Sequence, residues 1–146
     1  MPDVKLACRS CGQGNRVPGE KLGANPKCGT CGADLVPGKP VEVSLEVLQK
    51  AARMDELPLV ADFWAAWCGP CRMMAPEFAK AAAELKGRAR FVKLDTEAYP
   101  AAGGKYGIRG IPLLIRFEGG REAARQAGAV VAPAIVGWVA GKATAR

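Results

Sequence analysis

Histidine is absent from the 146 residues of this chain. That removes hydrolases in which a histidine base activates a cysteine, and it leaves cysteine as the main soft metal-ligating side chain. No apolar run long enough to cross a membrane occurs either: LPLVADFWAAW is interrupted by Asp62 and runs into a cysteine. The first twenty residues, MPDVKLACRSCGQGNRVPGE, contain no apolar core of a secretion signal. The expectation is a cytoplasmic protein, not membrane-bound, in a compartment that keeps thiols reduced. The formal charge is +7, but the basic residues form no dense run, so a nucleic-acid partner is not expected. What is present is ordinary for a globular chain: 49% hydrophobic and 24% charged residues, enough for one domain and a little more.

Composition changes along the chain. Residues 1–35 are polar and rich in Gly, Cys and Lys/Arg, with too few large apolar side chains to fold on hydrophobic burial alone. VPGKP at 36–40 reads as a linker, with two prolines and a glycine. From residue 41 to 146, β-like and helix-like segments alternate. VEV predicts a short strand, and SLEVLQKAARM a helix behind a Ser44 cap. LPLVADFWA predicts a strand buried on both faces, 69–86 a helix, and RFVKLD a second buried strand. A short crossover follows at 98–106, then a hairpin from IPLLIRF to EAARQAG through EGGR, and finally a helix in APAIVGWVAGKA. The pattern predicts an α/β domain with a mixed sheet.

Six cysteines fall into three Cys-x-x-Cys pairs. CRSCG and CGTCG are matched knuckles, each with a glycine after the second cysteine, and sixteen residues separate them. This is four-cysteine zinc spacing, in which Cys8, Cys11, Cys28 and Cys31 would hold one tetrahedral Zn2+. Structural disulfides are the competing assignment; a reducing compartment opposes them, and metal binding would supply the folding free energy that residues 1–35 lack. Within 1–35 five Lys/Arg face three acids, and that surplus is cancelled when four thiolates surround one zinc ion. The module's role is open between a structural or docking part and a redox sensor.

The third pair, in WCGPC, has no further cysteine or histidine to share a metal. It sits where a buried strand meets a helix. With Cys68 at the first, non-helical position, its sulfur faces the free N–H groups and positive end of the helix, which favours thiolate. Pro70 falls in the first turn, where its missing N–H costs nothing. Cys71 lies one turn on, close enough to bond Cys68. One exposed nucleophile, Cys68, and one shielded resolving thiol, Cys71, are what thiol–disulfide exchange requires.

VADFWAAWCGPCRMMAPEF, FVKLD, KYGIRGIPLLIRFEGG and AGA resemble thioredoxin, from about residue 41 to the end, and the four-cysteine segment is similar to that of the zinc-containing second class of bacterial thioredoxins. The resemblance implies a thioredoxin fold, a central mixed sheet flanked by helices, preceded by a small zinc-ribbon-like module. It implies that Asp62 is a buried carboxylate accepting the Cys71 proton and that Lys93 is its partner. Pro112 corresponds to a cis-proline opposite the cysteines, leaving Ile111 backbone groups to pair with a substrate strand. Trp67, Gly69 and Pro70 would shape the contact surface, Gly128 would line the substrate groove, Trp64 would be core, and Pro76 would kink its helix. Leu113 departs from the threonine common after the cis-proline, and the crossover AYPAAGGKYG is looser than usual.

The implied function is a monomeric protein-disulfide reductase cycling Cys68/Cys71, recharged by an NADPH-dependent thioredoxin reductase. No nucleotide is expected on this chain, which has no G-x-G-x-x-G at a strand-to-helix turn. An oxidase or isomerase is opposed by the Gly-Pro dipeptide. The alternative is a zinc-linked, redox-regulated binding or chaperone module that uses the thioredoxin domain as a scaffold.

Overall fold

The computed structural model of the protein describes residues 2–140. Its order begins with a hairpin, β1 (Asp3–Ala7) and β2 (Gly14–Pro18), followed by one 3-10 turn at Gly19–Lys21. Then come β3 (Val41–Glu42), α1 (Leu45–Met54), β4 (Leu59–Trp64), α2 (Gly69–Glu84), β5 (Arg90–Asp95), α3 (Ala101–Tyr106), β6 (Leu113–Glu118), β7 (Arg121–Ala127) and α4 (Ala132–Ala140). The larger sheet has the order β3-β5-β4-β6-β7. β3, β5 and β4 are parallel, and β6 and β7 are antiparallel additions, so the sheet is mixed.

Strand alternation sorts the core into two layers. Leu59, Ala61 and Phe63 of β4 pack with Val92 and Leu94 of β5 against Leu48 and Ala51 of α1 and Ala102 of α3. Val60, Phe91 and Leu114 face the other way, onto Met74, Phe78 and Ala81 of α2 and Ile135 and Val139 of α4. The continuous apolar run of β4 is thereby explained, since five of its six residues are buried beneath helices on one face or the other. Asp62 is on the α2 face.

Helix α1 begins as its sequence predicts: the Ser44 hydroxyl accepts a hydrogen bond from the Val47 N–H at 3.1 Å. Ser44→Ala is expected to cost about 1 kcal/mol, read as a lower urea midpoint with unchanged slope. The penultimate strand starts at Leu113, two residues later than IPLLIRF suggests, because Pro112 has no N–H to place in a ladder. The last helix ends, as described, at Ala140; the remainder of its expected span lies outside the described residues.

The N-terminal segment has a core of its own, which its polar composition conceals. Leu6, Val17, Leu22, Leu35 and Val36 cluster around buried Cys8 and Cys28. Val36, placed in the linker by its proline-glycine context, is buried because it continues the apolar step of Leu35 into this cluster. The segment is tied to the larger sheet by a buried polar network. Arg90 of β5, 1% exposed at its side chain, donates to Asp55 Oδ2 at 2.5 Å, to the Ala7 carbonyl at 2.7 Å and to the Leu35 carbonyl at 3.1 Å. Asp55 Oδ1 accepts from the Ala7 N–H at 2.9 Å, and Arg9 donates to the Phe91 carbonyl at 3.0 Å. Asp55 and Arg90 precede β4 and open β5, so the network sits at the N-terminal edge of the parallel strands, the opposite end from Cys68.

Candidate functional site

Cys68 follows the C-terminal end of β4 and is the N-cap of α2. It is extended there, with φ −85° and ψ 109°, and its sulfur accepts from the Cys71 N–H at 3.2 Å. Gly69 and Pro70 occupy the first helical positions, where no intrahelical acceptor is available and the missing N–H of Pro70 costs nothing, and the Cys71 N–H that follows reaches Sγ. Cys68 and Cys71 are joined as a disulfide with 5.2 Å between Cα atoms. Cys68 is only 4% exposed and Cys71 2%, so the expectation of an exposed and a shielded thiol needs correction for this oxidised form: both sulfurs are covered. Cys68 Sγ lies 3.7 Å from the Ile111 carbonyl.

The elements brought around the pair are those singled out in the sequence. Ile111–Pro112 is a cis peptide bond, and the Pro112 carbonyl accepts from the Gly128 N–H at 3.0 Å. Gly128 has φ +86°, and a Cβ there would meet no atom within 4 Å, so a side chain would be strained and would project into open space. Trp67 is 67% exposed and Pro70 is exposed, with Gly69 half-buried between them. Two clefts flank Ile111. One of about 490 Å³ runs past Trp67, Thr96, Pro100 and Ile108; the other, about 410 Å³, runs past Leu113, Arg125, Ala127 and Gly128.

On the face of β4 that is turned to α2, Asp62 is fully buried, and neither carboxylate oxygen has a hydrogen-bond partner among the described residues. Burial pushes its pKa up to about 7; the Lys93 ammonium opposes the rise and Glu42 adds to it. Lys93 is the direct cross-strand neighbour of Asp62, and Glu42 that of Lys93. The Lys93 ammonium also lies 4.7 Å from the centre of the Trp64 ring, and Trp64, expected in the core, is half-buried beside this charge. Pro76 lies inside α2 and removes the bond its N–H would make to the Arg72 carbonyl. Arg72 and Thr96 were not singled out by sequence. Arg72 Nη1 donates to the Ala66 carbonyl at 2.7 Å and Thr96 Oγ1 to the Trp64 carbonyl at 3.0 Å, which fixes the loop carrying Trp67. Neither lies in a motif with a mechanism, so only the folded geometry reveals them.

At the other end of the molecule the sulfurs of Cys8, Cys11, Cys28 and Cys31 all lie within 4.8 Å of one another. Cys8–Cys31 and Cys11–Cys28 are 3.6 and 3.7 Å apart. The sulfur–sulfur edge of a zinc tetrahedron is about 3.8 Å, from a Zn–S bond of about 2.3 Å, so the donor set fits that ion. Gly12 and Gly32 adopt φ +82° and +79° and close the two knuckles. Ser10 and Cys11 N–H groups donate to Cys8 Sγ at 3.3 and 3.4 Å, and the Thr30 N–H to Cys28 Sγ at 3.4 Å. Asn15 adds a side-chain donor to Cys28 Sγ while its Oδ1 holds the Gly29 N–H, an outer-shell role that no spacing rule discloses. The Cys31 N–H, with Asn15, holds the Cys28 thiol below its ordinary pKa, to about 6.

Comparison with known proteins decides the family. The thioredoxin family profile matches residues 40–141, and a profile described as thioredoxin 2, N-terminal, matches 7–33. The chain belongs to the thioredoxin family. It is 40% identical over 134 residues to "Thioredoxin C-3" of Corynebacterium nephridii, covering 92% of each chain. It is 44% identical over 85 residues to "Thioredoxin 1" of Chlorobaculum tepidum, covering 58% of this chain and 84% of that one. Among solved structures, a thioredoxin mutant from Halobacterium salinarum superposes with TM-score 0.66 at 29% identity over 73% of this chain and 92% of the other. Chloroplastic thioredoxin z gives TM-score 0.66 at 31% identity, with 74% and 96% covered. The thioredoxin fold, thiol–disulfide oxidoreductase activity and an N-terminal zinc-ribbon domain are therefore properties of this chain. Among the described residues no helix is long and apolar enough to cross a membrane.

Proposed function

We propose that the protein reduces disulfides in other proteins through Cys68 and Cys71 in the cytoplasm, is recharged by an NADPH-dependent thioredoxin reductase, and carries one structural Zn2+ on Cys8, Cys11, Cys28 and Cys31. The observation that carries the redox part is Cys68 as N-cap of α2, with the Cys71 N–H on its sulfur and the two clefts alongside.

In the reduced protein, Cys68 thiolate attacks one sulfur of a client disulfide. The client S–S bond breaks, a Cys68–client disulfide forms, and the other client sulfur leaves as thiolate and takes a proton from water. Asp62 accepts the proton of Cys71, whose thiolate then attacks Cys68 Sγ. The mixed bond breaks, the second client sulfur is released and protonated, and Cys68–Cys71 is oxidised as the client gains two electrons. A buried carboxylate with pKa near 7 suits this transfer at neutral pH, and Lys93 keeps its charged form accessible. The extended client segment pairs with the Ile111 backbone, leaving Trp67, Gly69, Pro70, Pro112 and Gly128 to form the walls beside it. Held by Cys8, Cys11, Cys28 and Cys31, zinc would neutralise the four thiolates and cross-link the two knuckles, while Asn15 and the knuckle N–H groups orient the sulfurs.

A coupled assay tests the reading: NADPH oxidation in the presence of thioredoxin reductase and insulin, with zinc measured in the same preparation. Turnover dependent on the protein, with one zinc per chain, is expected. Exposure of Cys11 and Cys31 is the observation favouring the alternative, a redox-regulated binding module. Zinc release by mild peroxide accompanied by new client binding, without insulin turnover, would establish that instead.

Asp62 also gives a signed pH prediction. Its folded pKa is raised from 3.8 to about 7, so the native state binds more protons than the unfolded chain across that window, and stability falls as pH rises through it. The wild type is expected to lose on the order of 2–4 kcal/mol between pH 4 and 8 that Asp62→Asn does not lose. Urea unfolding of both at the two pH values checks this; parallel losses would mean that Asp62 is ionised at ordinary pH.

A further inference from the structure

Arg109, Gly110 and Ile111 are the residues common to both clefts beside the disulfide, and of the three only Arg109 carries charge. Arg109 is exposed and has no hydrogen bond or ion pair among the described residues. The other cations nearby are committed. Arg125, in the second cleft, is held by Glu122 at 2.5 and 2.8 Å and by the Tyr106 carbonyl at 2.7 Å, and Arg72 Nη1 is held by the Ala66 carbonyl. No aspartate or glutamate lines either cleft.

We propose that Arg109 is a specificity-determining residue that selects clients carrying an acidic side chain beside the cysteine attacked by Cys68. The proposal rests on the reading of Cys68/Cys71 as a protein-disulfide reductase, and concerns which disulfides it prefers. The Ile111 carbonyl is 3.7 Å from Cys68 Sγ, so a client strand laid along this segment brings its cysteine to the level of Ile111. Two residues of extended chain span about 6–7 Å, within the reach of an arginine side chain, so the client position that meets Arg109 lies within about two residues of its cysteine. A carboxylate there gains a guanidinium that has no competing partner to give up. An ammonium meets the same charge with no acid in either cleft to offset it. A charge at the mouth of an open cleft acts on encounter and is screened by salt, so the preference resides in kcat/KM and fades as ionic strength rises.

The test uses three synthetic peptides with the same intramolecular disulfide, differing only in a Glu, Gln or Lys next to the attacked cysteine. Rates of their reduction by the dithiol form of the full-length, zinc-loaded protein are compared for wild type, Arg109→Gln, Arg109→Glu and Arg125→Gln. The wild type is expected to prefer the Glu peptide over the Lys peptide about five- to tenfold in kcat/KM at low salt, falling toward unity near 0.5 M salt. Arg109→Gln removes most of the preference, Arg109→Glu inverts it, and Arg125→Gln keeps it, each ratio being taken within one variant. Equal rates for the Glu and Lys peptides in the wild type, or a preference that survives Arg109→Glu, overturns the proposal while the Gln peptide is still turned over. Failure of the wild type to reduce the Gln peptide contradicts the reductase reading itself.

Discussion

Cys68→Ser is expected to lower disulfide turnover by at least about a thousandfold, whereas Cys11→Ser retains it. The difference follows from placement. Serine at 68 keeps the helix cap, because its oxygen can accept the Cys71 N–H as sulfur does, but it has no accessible anion at neutral pH and cannot form an S–S bond. Cys11 is an exposed residue of the knuckle whose base, Ala7, is anchored to Asp55 and Arg90 at the N-terminal edge of the parallel strands, whereas Cys68 follows the C-terminal end of β4. Its removal is expected to weaken the proposed zinc site without touching α2. Cys71→Ser gives the complementary result. The first attack proceeds, the resolving thiol is missing, and a stable Cys68–client adduct accumulates in place of turnover. Insulin reduction driven by NADPH and thioredoxin reductase, with the products run on a non-reducing gel, distinguishes these outcomes for the three variants. Equal loss in Cys68→Ser and Cys11→Ser would tie activity to the four-cysteine site and bring the zinc-linked binding module forward.

Asp55→Ala is expected to destabilise the folded protein by about 3–5 kcal/mol, a large part of the 5–15 kcal/mol available to a domain. It leaves the Arg90 guanidinium without its carboxylate in a site 1% exposed, and it strips the Ala7 N–H of its acceptor. Ala7 immediately precedes Cys8, and its carbonyl is held by Arg90 as well, so the change loosens the base of the first knuckle and the junction between module and sheet together. Lys27→Ala makes the contrasting case. Lys27 and Asp34 form an ion pair with both side chains about half-exposed, and its loss should cost less than about 1 kcal/mol. Urea unfolding of the zinc-loaded variants, with zinc retention monitored by a chromogenic chelator, measures both. An Asp55→Ala midpoint within error of the wild type would show that the buried network contributes nothing to stability.

The contrast between these two sites also marks what could be seen in the sequence. The redox pair was legible because it is local: the capping cysteine, Gly-Pro and the second cysteine fall within one turn of α2. The zinc spacing was legible for the same reason, each knuckle being a four-residue unit that folds on itself. Ser44 and the doubly buried run of β4 follow from short-range rules of capping and alternation. The resemblance carried Asp62, Lys93 and the cis Ile111–Pro112 peptide, none of which a spacing argument could have assembled. What escaped is non-local. Arg90 and Asp55 are 35 residues apart, Arg9 and Phe91 are 82 apart, and neither separation has a periodicity that would announce a contact. The strand β7 is largely exposed and reads as a strand only through the glycine turn that returns it to β6. The polar N-terminal segment concealed a small core because its few apolar residues, Leu6, Val17, Leu22 and Leu35, are scattered along the chain and meet only when the knuckles close.

The division of labour among the three cysteine pairs reduces to where a client disulfide first becomes attached. Cys71→Ser, reduced and then mixed with insulin, should yield a covalent adduct whose tryptic map places the linkage on Cys68 alone. Linkage at Cys11 or Cys31, the two exposed knuckle cysteines, would contradict the assignment of WCGPC as the entry point for the client.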